Sequence, residues 1–459
     1  MNHWHQPLSR RAVIRSMIGS SILLPGILSE LLASEQSSVR PQNPTDPLGA
    51  KPAHFPGRAK RVIFLYATGG VSHIDTFDPK STGKGRDGSG KEKLMGCQWG
   101  YSANARCGTV ISDLFPKLRD VMDEVCLIRS MKSAHFDHSE ATLGFHTGSA
   151  TFARPSIGSW ISYGLGTFNR DLPSFVVIAP HLPYGGTQVY ANDFLPAYHQ
   201  GTRVLPGTDP IANLKRRGSD LQELELGLTE AFNRGHLASR KDDSALAARI
   251  SSFETAYKMQ QAAPEAFDVS KEADYVKTLY GLDRDVKGPA KEFAWQCLVA
   301  RRLAERGVRF IELIDTGSRP NWDSHGDMKE HEQLAGNVDQ PMAALILDLK
   351  QRGMLDETLV VWATEFGRTP AKEGGYGRGH HGRCFSIWLA GGGIKPGLVL
   401  GETDDIGARI VRDPVEVHDV HATILHQLGI NHEQLTYRHA GRDFRLTDVH
   451  GRVMQEILA

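Results

Sequence analysis

Cysteine is scarce: five residues in 459, at Cys97, Cys107, Cys126, Cys297 and Cys384. They are too few and too scattered for a zinc ribbon or a disulfide framework, and an odd count leaves at least one unpaired. Cys97 and Cys107 flank a Gly/Ser/Asn-rich loop, where they either close a small disulfide in an oxidising compartment or remain independent thiols. No apolar run reaches the roughly 20 residues of a membrane span. Charge of either sign is not in excess, with 53 Lys+Arg against 53 Asp+Glu. A general nucleic-acid binder needs a basic field, so nucleic acid is excluded as the default partner. Internal repeats and low-complexity tracts are also missing. What the chain does carry is 40% hydrophobic residues, enough for a large core, and 20 histidines, several of them beside carboxylates. Histidine is the commonest transition-metal ligand and a frequent proton carrier, so that excess is the first functional lead.

The N-terminus reads as an address. Arg10 and Arg11 precede the apolar run Met17 to Leu32, which is broken by Gly19, Pro25 and Gly26 and contains Glu30. The pattern resembles a twin-arginine export signal over residues 1–34, which implies a periplasmic or otherwise exported protein with no stable membrane span. Residues 35–60, rich in Pro, Ser and Gln, read as an extended leader, and the folded domain is expected over 61–459.

From Arg61 onward, short apolar strands alternate with helical patterns. Arg61–Tyr66 is a β-branched and aromatic run closed by Thr68, Gly69 and Gly70, and similar runs occur at Glu124–Ile128, Ser174–Ile178, Val308–Ile314, Thr358–Ala363 and Phe385–Leu389. Helical periodicity covers Phe293–Arg306, Asp339–Arg352 and Val415–Leu428, each stopped by a glycine. The alternation predicts an α/β fold, a three-layer α/β/α sandwich with a largely parallel central sheet. Residues Gly218–Leu282 lack a clear strand and read as an inserted helical segment.

In open parallel sheets, functional groups collect beyond the carboxyl ends of the strands. His73 and Asp75 follow the first strand, Asp323 and His325 lie beyond Val308–Ile314, Glu365 and Arg368 follow Thr358–Ala363, and His380 and His381 precede Phe385–Leu389. No one pair is specific; their joint placement at one sheet edge predicts a metal or polyanion site. A His/Asp/Glu set without cysteine suits zinc or manganese, whereas a pure carboxylate set suits magnesium or calcium. A second cluster, His135 to Glu140, opens the helical pattern Ala141–His146. A helix N-terminus there either holds an anion or is simply capped by Asp137 or Ser139. Among His418, Asp419 and His421 on the C-terminal helix, one residue at the site edge is the functional alternative to surface or packing roles.

The runs FLYATGGVSHIDTFDPK (Phe64–Lys80), WDSH (Trp322–His325), TEFGRTP (Thr364–Pro370) and LAGGGIKPG (Leu389–Gly397) resemble the domain-of-unknown-function 1501 family. That family has twin-arginine exported members, is abundant in planctomycete-type bacteria and is related to the alkaline phosphatase and sulfatase superfamily. The resemblance covers nearly the whole mature chain. It implies an alkaline phosphatase-like sandwich and a divalent ion, with zinc, manganese and calcium not distinguished. The implied metal residues are His73, Asp75, Asp323, His325, Glu365, His380 and His381. The superfamily's nucleophile position falls on His138, with Ser139 one residue away, and Arg368 or Arg383 is expected to pair with anionic oxygens. Three departures accompany it: Gly69 stands where the superfamily has a metal-binding Asp, Phe366 cannot coordinate, and Gly379 stands where relatives show Asp. The implied activity is an exported, sulfatase-like, metal-dependent hydrolase of sulfate or phosphate esters, acting on a small anionic ester or a sulfated polysaccharide. The alternative is a non-catalytic protein that binds metal or sulfated polysaccharide on the same fold.

Overall fold

The computed structural model describes residues 48–81, 94–207, 210–211, 219–239, 264–285, 288–317 and 321–459, with isolated positions between 240 and 263. The export signal at 1–34, and the leader up to residue 47, lie outside the described residues.

Nine strands form the central sheet. In chain order they are β1 (Arg61–Tyr66), β2 (Val125–Lys132), β3 (Phe175–Ile178), β4 (Thr202–Val204), β5 (Phe310–Ile314), β6 (Thr358–Ala363), β9 (Phe385–Ala390), β10 (Val399–Leu400) and β11 (Val415–Glu416), while β7 (Gly367–Glu373) and β8 (Gly377–His381) pair as a separate hairpin. The sheet order is β10-β2-β9-β6-β1-β5-β3-β4, with β11 also paired to β2. Neighbours run parallel except β9, which is antiparallel to both β2 and β6.

The central strands are buried on both faces, which is why they read as continuous apolar runs rather than alternating ones. Ile63 and Leu65 of β1 enter a core with Ile311, Leu313, Val360 and Trp362 and with two long helices, α5 (Pro289–Glu305) and α6 (Glu330–Gln351). Alternate residues point the other way. Phe64 and Tyr66 meet Phe145 and His146 of helix α1 (His138–Thr147), with ring centroids 4.4 to 6.2 Å apart. Helices α2 (Ile157–Leu165) and α7 (Val417–Gln427) complete the helical inventory needed for the site. The result is the α/β sandwich with a largely parallel sheet that the alternation predicts.

Local chemistry sets the helix ends. Pro289 opens α5 at a position whose N–H needs no partner. In α7, Glu416 and Asp419 form a reciprocal capping box. The segment read as an inserted helical stretch contains α3 (Ser219–Ser239) and α4 (Asp274–Tyr280). A two-stranded hairpin pairs Tyr437–His439 with Arg442–Phe444. Among the described residues no helix is long and apolar enough to cross a membrane. Cys97 and Cys107 are both free thiols, so the disulfide alternative is not the one adopted.

Because β1, β2, β5 and β6 are parallel, their carboxyl ends share one edge. The hairpin β7–β8 also stands there, since it leaves the end of β6 and returns into the start of antiparallel β9. The loops and the hairpin carry the candidate site.

Candidate metal centre at the carboxyl edge of the sheet

Helix α1 begins where the chain leaves β2. Asp137 caps it, its carboxylate accepting from the Ser139 and Glu140 amides at 2.9 and 3.4 Å, and Gly148 ends it in the left-handed conformation at φ 70°. His138, the first helical residue, is therefore turned inward and buried, while Ser139 is exposed.

His138 meets groups from three distant segments. Its Nδ1 lies 2.7 Å from Glu365 Oε1, an oxygen that also accepts the Gly69 N–H at 2.8 Å. An oxygen already accepting one donor is an acceptor toward His138 as well, so Nδ1 carries a hydrogen, and Nε2 is the nitrogen that offers a lone pair when the ring is neutral. That Nε2 is buried and makes no hydrogen bond, although Asp323 Oδ1 is only 3.2 Å away.

Two further imidazoles repeat the pattern. His380 Nδ1 donates to the Phe136 carbonyl at 2.8 Å, and His325 Nδ1 faces the Glu373 carboxylate at 3.0 Å. Their Nε2 atoms lie 3.1 and 2.9 Å from the same Asp323 Oδ1 and 3.0 Å from each other. Among the described residues, His138, Asp323 and His380 form a set whose donor atoms all lie within 4.8 Å of one another. A metal-ligating histidine characteristically anchors its other nitrogen on a carboxylate or carbonyl, and all three histidines here do so. Three lone pairs directed at one carboxylate oxygen repel it unless the rings are protonated or a cation lies among them. Donors about 2.0–2.1 Å from a tetrahedral ion are about 3.3 Å apart, close to the distances from Asp323 Oδ1 to the three imidazoles and between His325 and His380.

The electrostatics agree with a site built for positive charge. Burial pushes the Asp323 carboxyl up, but His138, His380 and the Arg368 guanidinium overcome it and hold the group well below the usual carboxylate range. Burial likewise pulls His138 down, and the Asp323 and Glu365 carboxylates outweigh it, raising the imidazole to about 9. Without a metal, a proton supplies the missing cation.

Arg368 is fully buried and spends its donors on protein. Nε donates to Gly70 O at 2.7 Å, Nη1 to Arg378 O at 3.3 Å, and Nη2 to Asp323 Oδ1 at 2.6 Å and to Gly69 O. It therefore clamps the first-strand turn to Asp323, in place of the expected pairing with substrate oxygens. Glu365 also has both oxygens occupied, Oε2 taking Tyr66 OH and Thr364 Oγ1 at 3.2 Å each, so it acts through His138.

Four residues expected at the centre are placed elsewhere. Asp75 is bound by Arg378 at 2.7 and 3.3 Å, by Ser72 Oγ at 2.6 Å and by the Gln98 amide at 3.1 Å, in a fully buried ion pair with no oxygen left for a metal. His73 donates from Nε2 to Gly407 O at 2.9 Å, His381 donates to Ala408 O at 3.0 Å, and the two rings stack at 6.2 Å. Burial pulls His73 down to about 4, so it stays neutral in its own pocket. Ser139 projects to solvent because Asp137 takes the cap. His418 and His421 are engaged by the Gly148 and Phe145 carbonyls.

Phe366 contributes as an apolar wall, with its ring 4.8 Å from that of His138 and 4.7 Å from that of His380. Sequence reasoning missed Tyr184, stacked on His138 at 4.2 Å and 12°, and also Tyr66, Glu373 and the Phe136 carbonyl. Tyr66 lies in the first-strand run and Phe136 in the His135–Glu140 cluster, but no spacing pairs any of the four with the histidines; only the folded chain brings them there. A separate open cavity of about 460 Å³ lies along another face of α1, lined by Lys132, His135, Gly144, Glu416, His418 and His450.

Gly69 shows how the first-strand turn differs from a ligand-bearing one. Its φ is +115°, and a Cβ built there lies 2.7 and 2.8 Å from the Trp322 and Asp323 amide nitrogens. The loop carrying Asp323 occupies the space a side chain at 69 would need. We expect Gly69→Ala to destabilise the protein by about 2–3 kcal/mol and to displace Asp323. Urea unfolding measures this, and an unchanged midpoint contradicts the packing described.

No curated protein matches the chain. Solved structures similar to it include the lipoteichoic acid synthase LtaP of Listeria monocytogenes, at 10% identity and a TM-score of 0.36, with 84% of this chain and 78% of that one covered. A protein in the alkaline phosphatase superfamily from Vibrio parahaemolyticus is similar at 10% identity and a TM-score of 0.37, covering 89% and 76%. The alkaline phosphatase of the Antarctic bacterium TAB5 is similar at 12% identity and a TM-score of 0.31, covering 73% and 92%. Residues 59–458 match the family described as protein of unknown function, DUF1501, and the chain belongs to that family.

Proposed function

We infer that the protein is a metal-dependent hydrolase of sulfate or phosphate esters. The observation that carries this reading is the convergence of three Nδ1-anchored histidines, His138, His325 and His380, with their Nε2 atoms on Asp323 Oδ1. These four residues would hold the ion, and imidazole-rich donors favour zinc or a similar borderline ion over magnesium or calcium. Bound there, a divalent ion supplies Lewis acidity toward an ester oxygen and lowers the pKa of water. Glu365, Glu373 and the Phe136 carbonyl hold the imidazoles in the ligating tautomer, Arg368 holds Asp323 in place, and Phe366 and Tyr184 shield the rings from water. With Ser139 turned outward, the arrangement favours attack by water over a serine nucleophile. The N-terminal twin-arginine pattern extends the reading to an exported enzyme.

A second reading is a non-catalytic metal- or sulfated-polysaccharide-binding protein. One observation favours it: Arg368, a cation expected to meet an anionic substrate, is sequestered by protein acceptors.

Metal analysis of the purified protein beside Asp323→Ala/His325→Ala, with an aryl sulfate and an aryl phosphate assayed on the same samples, separates the two. Stoichiometric metal and turnover, both lost in the double variant, is the expected result. Metal without turnover moves the assignment to binding, and a wild-type protein without metal overturns the metal site and with it the hydrolase reading.

A further inference from the structure

Helix α1 meets the sheet along a stripe that chemistry alone makes unusual. His138, Thr142 and His146 recur every four residues, so they lie one above another on one face, and all three are buried. A helix packed on a sheet ordinarily buries aliphatic residues there. Here each polar residue meets a polar partner from a different strand or strand end. His138 Nδ1 lies 2.7 Å from Glu365 Oε1 just beyond β6, Thr142 Oγ1 lies 3.1 Å from Tyr66 OH of β1, and His146 Nε2 lies 2.7 Å from Glu312 Oε1 of β5. Tyr66 OH is also 3.2 Å from Glu365 Oε2, which joins the first two rungs. His146 Nδ1 donates to the Thr142 carbonyl at 2.7 Å, so both ring nitrogens are held by polar partners.

Burying an acid and an imidazole is costly, and apolar residues of similar volume commonly give equal or greater stability. Apolar contact is also non-directional, so an aliphatic stripe tolerates small slips of a helix along a sheet. Hydrogen bonds do not, because a shift of about an ångström breaks them. One residue of slip moves a helix about 1.5 Å along its axis and turns it by about 100°. That displacement carries His138 Nε2 off Asp323.

We propose that Glu312, His146 and Tyr66 are positioning residues that lock the register of α1 on the sheet and so hold His138 in its ligating position. The proposal rests on the reading of His138 as a metal ligand. Glu312 and His146 lie two turns from that end of the helix and reach it through the helix and through Tyr66, whose ring is 4.4 Å from that of His146.

Cobalt(II) is the probe, titrated by its visible absorption into the chelator-treated wild type, Glu312→Leu/His146→Leu and Tyr66→Phe. The double leucine variant is expected to unfold at the same urea concentration as wild type or higher, yet to bind cobalt about 10–100-fold more weakly. A folded double variant with wild-type affinity overturns the proposal. Should that variant fail to fold, Tyr66→Phe, which deletes one hydroxyl, is expected to weaken cobalt binding about 10-fold, and unchanged affinity there overturns it equally. Glu312→Gln, which keeps shape and hydrogen bonding, is expected to retain affinity within about threefold, whereas a purely volume-filling role predicts that the leucine pair retains it as well. A wild type that binds no cobalt overturns the ligand reading instead. The register lock is then judged from crystal structures of the metal-free wild type and the double leucine variant, where retention of the His138–Glu365 contact in the variant overturns it.

Discussion

His138→Ala is expected to weaken divalent-metal binding by about 100-fold or more while the chain stays folded. The affinity of a four-donor zinc site spread over its ligands puts each near this size. The pH dependence gives the substitution a signature. In the metal-free protein His138 is raised to about 9, so at neutral pH a metal must displace its proton. Affinity therefore climbs by about tenfold per pH unit below 9 and flattens above it. The Ala variant loses that component of the slope along with the affinity. Stability of the metal-free protein runs the opposite way. A raised histidine contributes fully below its unfolded value near 6.5, and the contribution is lost as pH rises through about 9. Isothermal titration with zinc across pH 6–10, paired with calorimetric unfolding after chelation, checks both limbs. A wild-type affinity independent of pH in this range contradicts the site.

The second large effect is expected at Asp75. Asp75→Ala should destabilise the protein by about 3–5 kcal/mol, because it leaves the Arg378 guanidinium buried without its counter-charge. Both side chains are fully inaccessible, and Arg378 cannot swing to solvent while it also donates to the Thr369, Pro370 and Gly96 carbonyls. Burial acts to raise the Asp75 pKa, but Arg378 and the Ser72 hydroxyl overcome it and leave the carboxyl lowered. A depressed acid stabilises above its unfolded value near 3.9, and the contribution is lost as pH falls through the folded value. The gap between wild type and variant should therefore be full at neutral pH and close in acid. Denaturant unfolding at pH 7 and pH 3 measures it. The metal content of the folded variant should equal that of wild type, whereas a metal-depleted but equally stable variant would return Asp75 to the ligand set.

Much of this protein is legible before folding is considered. The strand at Arg61–Tyr66 is recognisable because a chain buried on both faces has little choice but a β-branched, aromatic run. The glycine stops after the long helices mark ends that need a left-handed residue. Asp323, His325, Glu365 and His380 could be named because parallel strands deliver their following loops to one edge. His73, Asp75 and His381 sit in equally placed loops and were equally eligible. What separates the two groups is where each ring or carboxylate finds its hydrogen bonds, and those partners come from as far as 334 positions away.

The sequence by itself therefore determined the α/β layering, the edge that carries the chemistry, and the residue types assembled there, since these follow from local periodicity and the direction of parallel strands. Only the tertiary structure decided that His138 faces inward and Ser139 outward, that Arg378 claims Asp75, and that Glu365, Glu373 and the Phe136 carbonyl each orient a different imidazole. The physical reason is that periodicity reports which side of an element is buried, whereas a ligand is defined by the angle and tautomer of one atom, and those are set by partners that periodicity does not encode.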